Sequence, residues 1–135
     1  SKTIDTLKIA RANFKFDSNK LDNIAGYLGI GHKLPHTGKH LWVGCMNGDP
    51  ESWKMMKAYN AHDVVLLEGV YEQLKPWAKN HPILTAIAPQ KVTACPTCLS
   101  HNVQRRGWNI AKVKKTPRFQ CSDCGSWFSG LHIGK

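Results

Sequence analysis

Acidic side chains are scarce in this chain of 135 residues, where nine Asp and Glu face nineteen Lys and Arg for a formal charge of +10. From Gln90 onward Asp123 is the only acid, against eight bases. That imbalance favours a polyanionic partner for the C-terminal third, with nucleic acid the commonest. A solvated surface serving solubility accounts for the same charge. Long apolar runs are missing as well. Nothing approaches the roughly 20 apolar residues of a membrane-spanning helix, and no signal-peptide pattern stands at the Ser1 end, so the expectation is a soluble cytoplasmic protein with no membrane partner. Acids at metal-binding spacing are also lacking around Asp5, Asp17 and Asp22, which read as cap or surface residues. With 41% hydrophobic residues the chain suits one ordinary domain, or a small one plus a stapled module.

What is present begins with cysteine. Cys95-Pro-Thr-Cys98 and Cys121-Ser-Asp-Cys124-Gly125 are two C-x2-C pairs separated by twenty-two residues. Two such knuckles place four thiolates around one ion, and the reading is a structural zinc site. Disulfides suit a secreted chain, and a redox C-x-x-C belongs in a βαβ context; neither setting is visible here. Strand character over residues 103–108 and 118–120, with Trp127 and Phe128 after the second knuckle, resembles a zinc ribbon. Arg105, Arg106, Lys112, Lys114, Lys115 and Arg118 are interleaved with Trp108, Phe119 and Trp127. They supply charge for phosphates and flat faces for bases. Phe119 and Phe128 read as the small core of this module, and Trp108 as partly free.

Residues 53–77 read as helix. Trp53, Met56, Leu67, Val70, Leu74 and Trp77 follow three-and-four spacing, which predicts one buried stripe. Asp63 falls on that stripe with Tyr59 one turn before it. An ionised carboxylate there costs several kcal/mol if unpaired, so a metal ion or a strong donor should meet it. Alternatively Asn60 restarts the helix as an N-cap with Asp63 at its third position, giving helices over residues 50–58 and 61–79. Asn47-Gly48-Asp49-Pro50-Glu51 supplies the helix start, Gly69 marks a close approach of another backbone, and His81-Pro82 an end.

Upstream, residues 3–7 start extended and turn helical. Ser18 or Asn19 caps an amphipathic helix over residues 20–28 that ends at Gly29 and Gly31. His32, His36 and His40 recur every four residues, but Pro35 and Gly38 interrupt them, so residues 31–47 read as a loop with an extended run at Leu41-Trp42-Val43. Cys45 reads as a buried thiol. Residues 83–94 form a linker, with Ile83, Leu84 and Ile87 expected to pack on the first domain. The organisation is therefore residues 1–82, a linker, and a zinc ribbon over residues 95–135.

Asp5-Thr6-Leu7 with Ala10-Arg11, residues 20–25 with Leu28-Gly29, and then Trp53, Met56, Tyr59-Asn60, Asp63, Leu66-Leu67, Tyr71, Leu74 and Trp77 together resemble the C-terminal half of a ribonuclease H-like 3′-5′ exonuclease. The variety is the DEDD class with tyrosine in its third motif, of phage and bacterial type. The resemblance implies a partial α/β fold, mainly helical here. It implies that Asp63 helps hold magnesium or manganese while Tyr59 orients the attacking water. It puts the family's first motif, an Asp-x-Glu on the opening strand, and its second-motif aspartate before Asp5. The missing acids then come from a further segment or a partner chain, or else the domain binds nucleic acid without catalysis. The expectation is a metal-dependent nuclease portion, inactive alone, in a host cytoplasm if phage-encoded, with DNA ahead of RNA as partner. The alternative is a non-catalytic zinc-ribbon nucleic-acid-binding protein.

Overall fold

The computed structural model describes residues 3–130. It divides into a helical unit over residues 5–74 and a cysteine unit formed by residues 75–130 together with residues 3–4.

The helical unit is built from α1 (Thr6–Asn13), α2 (Leu21–Tyr27), α3 (Lys39–Met46) and α4 (Pro50–Leu74). Asp5 caps α1, its Oδ1 accepting from the amides of Leu7 and Lys8 at 2.9 and 3.2 Å. The N-cap of α2 is Lys20, not Ser18 or Asn19. Its C-terminus closes by a Schellman arrangement: Gly29 holds φ at +69° while the Ile30 amide reaches back to the Ala25 carbonyl at 2.9 Å. Asp49 caps α4 through the Ser52 amide at 2.9 Å. The core is Ile9 and Ala10, Ile24 and Ala25, Leu41 and Cys45, and Leu66, Val70 and Leu74. Each helix contributes residues at one-turn or adjacent spacing, and α1, α2 and α3 all pack on α4.

Five expectations change here. Residues 39–46 are helix α3, not loop or strand, because Leu41 and Cys45, four apart, are buried on one face and Gly38 turns the chain into it at φ +62°. Helix α4 runs through Asn60 without a break, which removes the Asn60 cap reading. Its buried stripe is Leu66, Val70 and Leu74, whereas Trp53, Leu67 and Trp77 are about half exposed. The α-helix stops at Leu74 and Pro76 sits in a 3-10 turn, Lys75–Trp77, so Trp77 leaves the helical periodicity altogether. At Gly69 the neighbour is a side chain rather than a backbone: a Cβ there would lie 2.7 Å from Cγ2 of Ile30.

The cysteine unit carries a short helix, α5 (Leu84–Ile87), inside the segment read as linker, tied down by the Leu84 amide donating to the Pro96 carbonyl at 2.8 Å. Ile83 and Ile87 are exposed, not packed. Beyond it β1 (Val103–Ile110), β2 (Lys115–Cys121) and β3 (Trp127–Ser129) form an antiparallel sheet in the order β1-β2-β3. The protein is thus mixed helix and sheet, and among the described residues every strand belongs to this unit. Phe119 is buried and stacks on Phe128 with centroids 5.5 Å apart, the small core the sequence indicated. Residues 131–135 of the expected ribbon lie outside the described residues.

Candidate functional site

The two C-x2-C segments fold into matching turns. In the first, the Leu99 amide donates to the Cys95 carbonyl at 2.9 Å and the Cys95 amide to the Ser100 carbonyl at 2.8 Å. In the second, Gly125 donates to Cys121 at 3.0 Å and Cys121 to Ser126 at 2.9 Å. The residue after each second cysteine sits in the left-handed region, Gly125 at φ +77° and Leu99 at +64°. Glycine does this without strain; leucine is held there by the surrounding bonds. The turns are clasped together by Asp123, which accepts from Ser100 Oγ and from Asn102 Nδ2 at 2.8 Å, and by Ser126 Oγ donating to Thr97 Oγ1 at 3.0 Å.

This folding brings the four sulfurs of Cys95, Cys98, Cys121 and Cys124 within 4.8 Å of one another. The Cys95–Cys124 pair is at 3.6 Å and Cys98–Cys121 at 3.7 Å. A tetrahedral zinc ion with bonds of about 2.3 Å places its sulfurs roughly 3.8 Å apart. The donor set and its spacing fit, and the cluster can hold a zinc ion. Zinc bound there would cross-link the two turns. Burial pushes the Cys95 and Cys98 thiols up, while at Cys124 burial is outweighed by the combined hydrogen bonds of the Ser126 amide and hydroxyl and of the Cys98 and Cys95 thiols, which bring the thiol down. Among the described residues no other group of three or more His, Cys, Asp or Glu side chains converges in this way.

The basic residues divide between the two faces of the sheet. Residues opposite one another in an antiparallel ladder share a face. Arg105 pairs with Phe119, Trp108 with Pro117 and Ile110 with Lys115, so Arg105, Trp108 and Lys115 lie on the face of the Phe119–Phe128 core. The Arg105 guanidinium stands 4.4 Å and the Lys115 ammonium 4.6 Å from the Trp108 ring centre. On the opposite face Gln104, Gln120 and Trp127 form one row, and the Arg118 guanidinium stacks 4.2 Å over Trp127. Arg106 lies in the register shift beside Gly107, whose φ is +85°. Lys112 and Lys114 are exposed at the hairpin tip. Trp108 is 47% exposed and Trp127 48%. Trp127 is therefore as available as Trp108, and its part in a cation stack was visible in the sequence only as an aromatic near basic residues.

In the helical unit Tyr59 and Asp63 do share the face of α4 that continues into Leu66 and Val70. The cation that meets Asp63 is Lys33, whose Nζ lies 2.6 Å from Asp63 Oδ2 and donates to Tyr59 OH at 3.1 Å. Asp63 Oδ1 is buried with no hydrogen-bond partner. The Asp63 and Tyr59 contacts outweigh burial and hold the Lys33 pKa above its ordinary value. The Lys33 amide donates to Asp22 Oδ1 at 2.7 Å, and that bond is the main reason the Asp22 carboxyl is lowered. Lys33 stands thirty residues from Asp63, and no local spacing announced it. The three histidines part company: His32 faces Asp22 at 3.4 Å, His36 packs edge-on against Tyr59, and His40 is exposed in the first turn of α3. The Asp-x-Glu formed by Asp49, Pro50 and Glu51 is the cap and first turn of α4, far in sequence from any opening strand.

No family model, curated protein or solved structure matches this chain. No helix among the described residues is long and apolar enough to cross a membrane.

Proposed function

We propose that the cysteine unit is a zinc ribbon that grips nucleic acid, DNA ahead of RNA. The observation that carries this reading is the pairing of a four-cysteine cluster with an exposed basic sheet on which three cations already lie over two half-exposed indoles. Arginine and lysine meet phosphates, and the indoles offer stacking surface. Replacing Arg105, Arg106, Lys114 and Lys115 together by alanine is expected to weaken oligonucleotide binding. The slope of log affinity against log salt should fall by roughly 2 to 4, since each lost phosphate contact releases fewer counterions. Binding that keeps its affinity and its slope in that variant overturns the reading.

A second reading is favoured by the placing of Tyr59 beside Asp63 with Oδ1 unpaired. Here the chain is the C-terminal portion of a tyrosine-type DEDD exonuclease, and the remaining acids come from a segment or partner outside it. A magnesium or manganese ion would be held by Asp63 together with those acids and would activate water for phosphodiester hydrolysis. The chain alone should cleave nothing. Supplied with a segment carrying an opening-strand Asp-x-Glu, it should cleave in a metal-dependent way that Asp63→Asn abolishes and Tyr59→Phe reduces. Cleavage indifferent to Asp63→Asn excludes this second reading.

A further inference from the structure

The two faces of the β1–β2 ladder differ in chemistry. One carries Trp108, Pro117 and the Phe119–Phe128 core. The other carries Gln104 and Asn109 from β1 and Thr116, Arg118 and Gln120 from β2, with no acid and no wholly apolar side chain among these five. We propose that this amide-bearing face docks in the major groove of duplex DNA and reads base edges there. The inference rests on the ribbon being a nucleic-acid binder and names the form of nucleic acid, the groove and the reading residues.

A bulge assembles that face. Gln104 and Asn109 are an odd number of residues apart, which in an unbroken strand turns them to opposite sides of the sheet. The register shift at Arg106 and Gly107 takes up the extra residue, so that Gln104 stands opposite Gln120 and Asn109 opposite Thr116. The side chains gathered there are uncommitted. Gln104 and Asn109 are exposed and Gln120 is half-buried, and none of the three amides makes a side-chain hydrogen bond among the described residues. Arg118 has no carboxylate partner among them; its guanidinium lies 4.2 Å over Trp127, which holds the planar fork in one orientation. An amide offers a donor and an acceptor together, the pair that matches N6 and N7 of adenine, and a guanidinium fork matches O6 and N7 of guanine.

Shape and charge select the duplex. β3 pairs with Arg118, Phe119 and Gln120 alone, so beyond Arg118 the ladder runs on as a two-stranded arm to its tip at residues 111–114. Strands about 4.8 Å apart make a ribbon that the roughly 12 Å major groove of B-form DNA admits. The deep, narrow major groove of an RNA duplex refuses it. Lys112 and Lys114 at the tip and Arg106 in the bulge are exposed and meet phosphates along the groove walls. Asp123, the one acid after Gln90, is engaged by Ser100 and Asn102 in the knuckles, so no carboxylate on the arm repels the DNA.

The test selects binders of the zinc-loaded full chain from a pool of random-sequence DNA duplexes. The enriched duplex is then compared with a scrambled one, with its own single strands and with the RNA duplex of the same sequence. The expected result is a short motif containing guanine and adenine, bound at least about tenfold tighter than the other three. Methylation of guanine N7, in the major groove, should block binding, and methylation of adenine N3, in the minor groove, should not. Arg118→Lys keeps the charge and loses the fork, while Asn109→Ala loses one amide; each should cut the preference by about fivefold or more. Lys112→Gln should weaken all duplexes alike and keep the preference. Zinc content reports the folding of each variant, and Asn109→Ala decides if Arg118→Lys loses the metal. Equal binding of enriched and scrambled duplexes, tighter binding of single strands or RNA, or interference at adenine N3 in place of guanine N7 overturns the groove assignment and leaves the ribbon a nucleic-acid binder. So does a preference that both Arg118→Lys and Asn109→Ala leave intact. Binding of no nucleic acid at all overturns the proposed function with it.

Discussion

Lys33 decides the chemistry around Asp63. Its ammonium, 33% exposed, neutralises a carboxylate that is 21% exposed, and its hydroxyl contact fixes Tyr59 in the same cluster. A pair so placed is neither a free surface bridge nor fully desolvated, so its loss should cost about 1–2 kcal/mol. Lys33→Met should destabilise the helical unit by that amount at neutral pH, and pairing it with Asp63→Asn should recover part of the loss, because no charge is then left uncompensated. The sign with pH follows from the raised Lys33 pKa. Its contribution is complete below the ordinary lysine value of 10.5 and is lost as pH climbs through the higher folded value. Chemical denaturation at pH 7 and above pH 10.5 should therefore show an alkaline loss in the parent that Lys33→Met lacks. Equal pH dependence in both chains would falsify the pairing. The sequence announced that Asp63 needed a partner, since a carboxylate stood among apolar positions. It did not say which cation arrives, because the approach depends on how residues 28–38 cross over α4.

At the scale of elements, α4 is the surface on which α1, α2 and α3 pack, and Gly69 is where it receives the segment after α2. Glycine to alanine in an exposed helix gains about 1 kcal/mol. Here Ile30 lies 2.7 Å from the added Cβ. Forcing Ile30 aside should cost about 1–3 kcal/mol and reverse the sign. Gly69→Ala is expected to lower the thermal midpoint, and adding Ile30→Ala should let the helix-propensity gain show as a smaller loss than the sum of the single changes. Strict additivity of the two would place Ile30 elsewhere. The helix itself was plain from its start signal and its period. Its true stripe was not, because Leu66 and Leu67 are both leucines and only the packing of the other helices says which of them turns inward.

For the molecule as a whole, the division into two units predicts two responses to metal removal. Zinc-binding free energy is folding free energy for a module this small. A strong chelator, or Cys121→Ser, should unfold the sheet over residues 103–129 and release the tryptophan stacks, while the helical circular dichroism of residues 5–74 persists. Metal analysis finding no zinc in the purified protein, or amide protection of β2 unchanged in Cys121→Ser, contradicts the assignment. The charge asymmetry belongs to the same scale, since the eight bases after Gln90 fall in the same third of the sequence as the four cysteines that can hold zinc. Loss of zinc should therefore remove nucleic-acid binding along with the sheet.

Sequence alone determined the cysteine framework, because two C-x2-C turns with a left-handed residue after each pair are local structures that hardly depend on the rest of the chain. It determined the hairpin character and the basic bias of the ribbon for the same reason, and the helix start at Asp49-Pro50 by capping chemistry. Tertiary structure decided what depends on approach between distant segments: helix α3 in place of a loop, Leu66 in place of Leu67, Lys33 as the partner of Asp63, and the sorting of Trp108 and Trp127 onto opposite faces of one sheet. That last division turns on register, and a bulge at Arg106-Gly107 sets it. A shift of one residue in pairing exchanges the faces; Gly107 inside β1 is the local mark of a bulge, but the register that puts Trp108 opposite Pro117 is fixed only by pairing with β2.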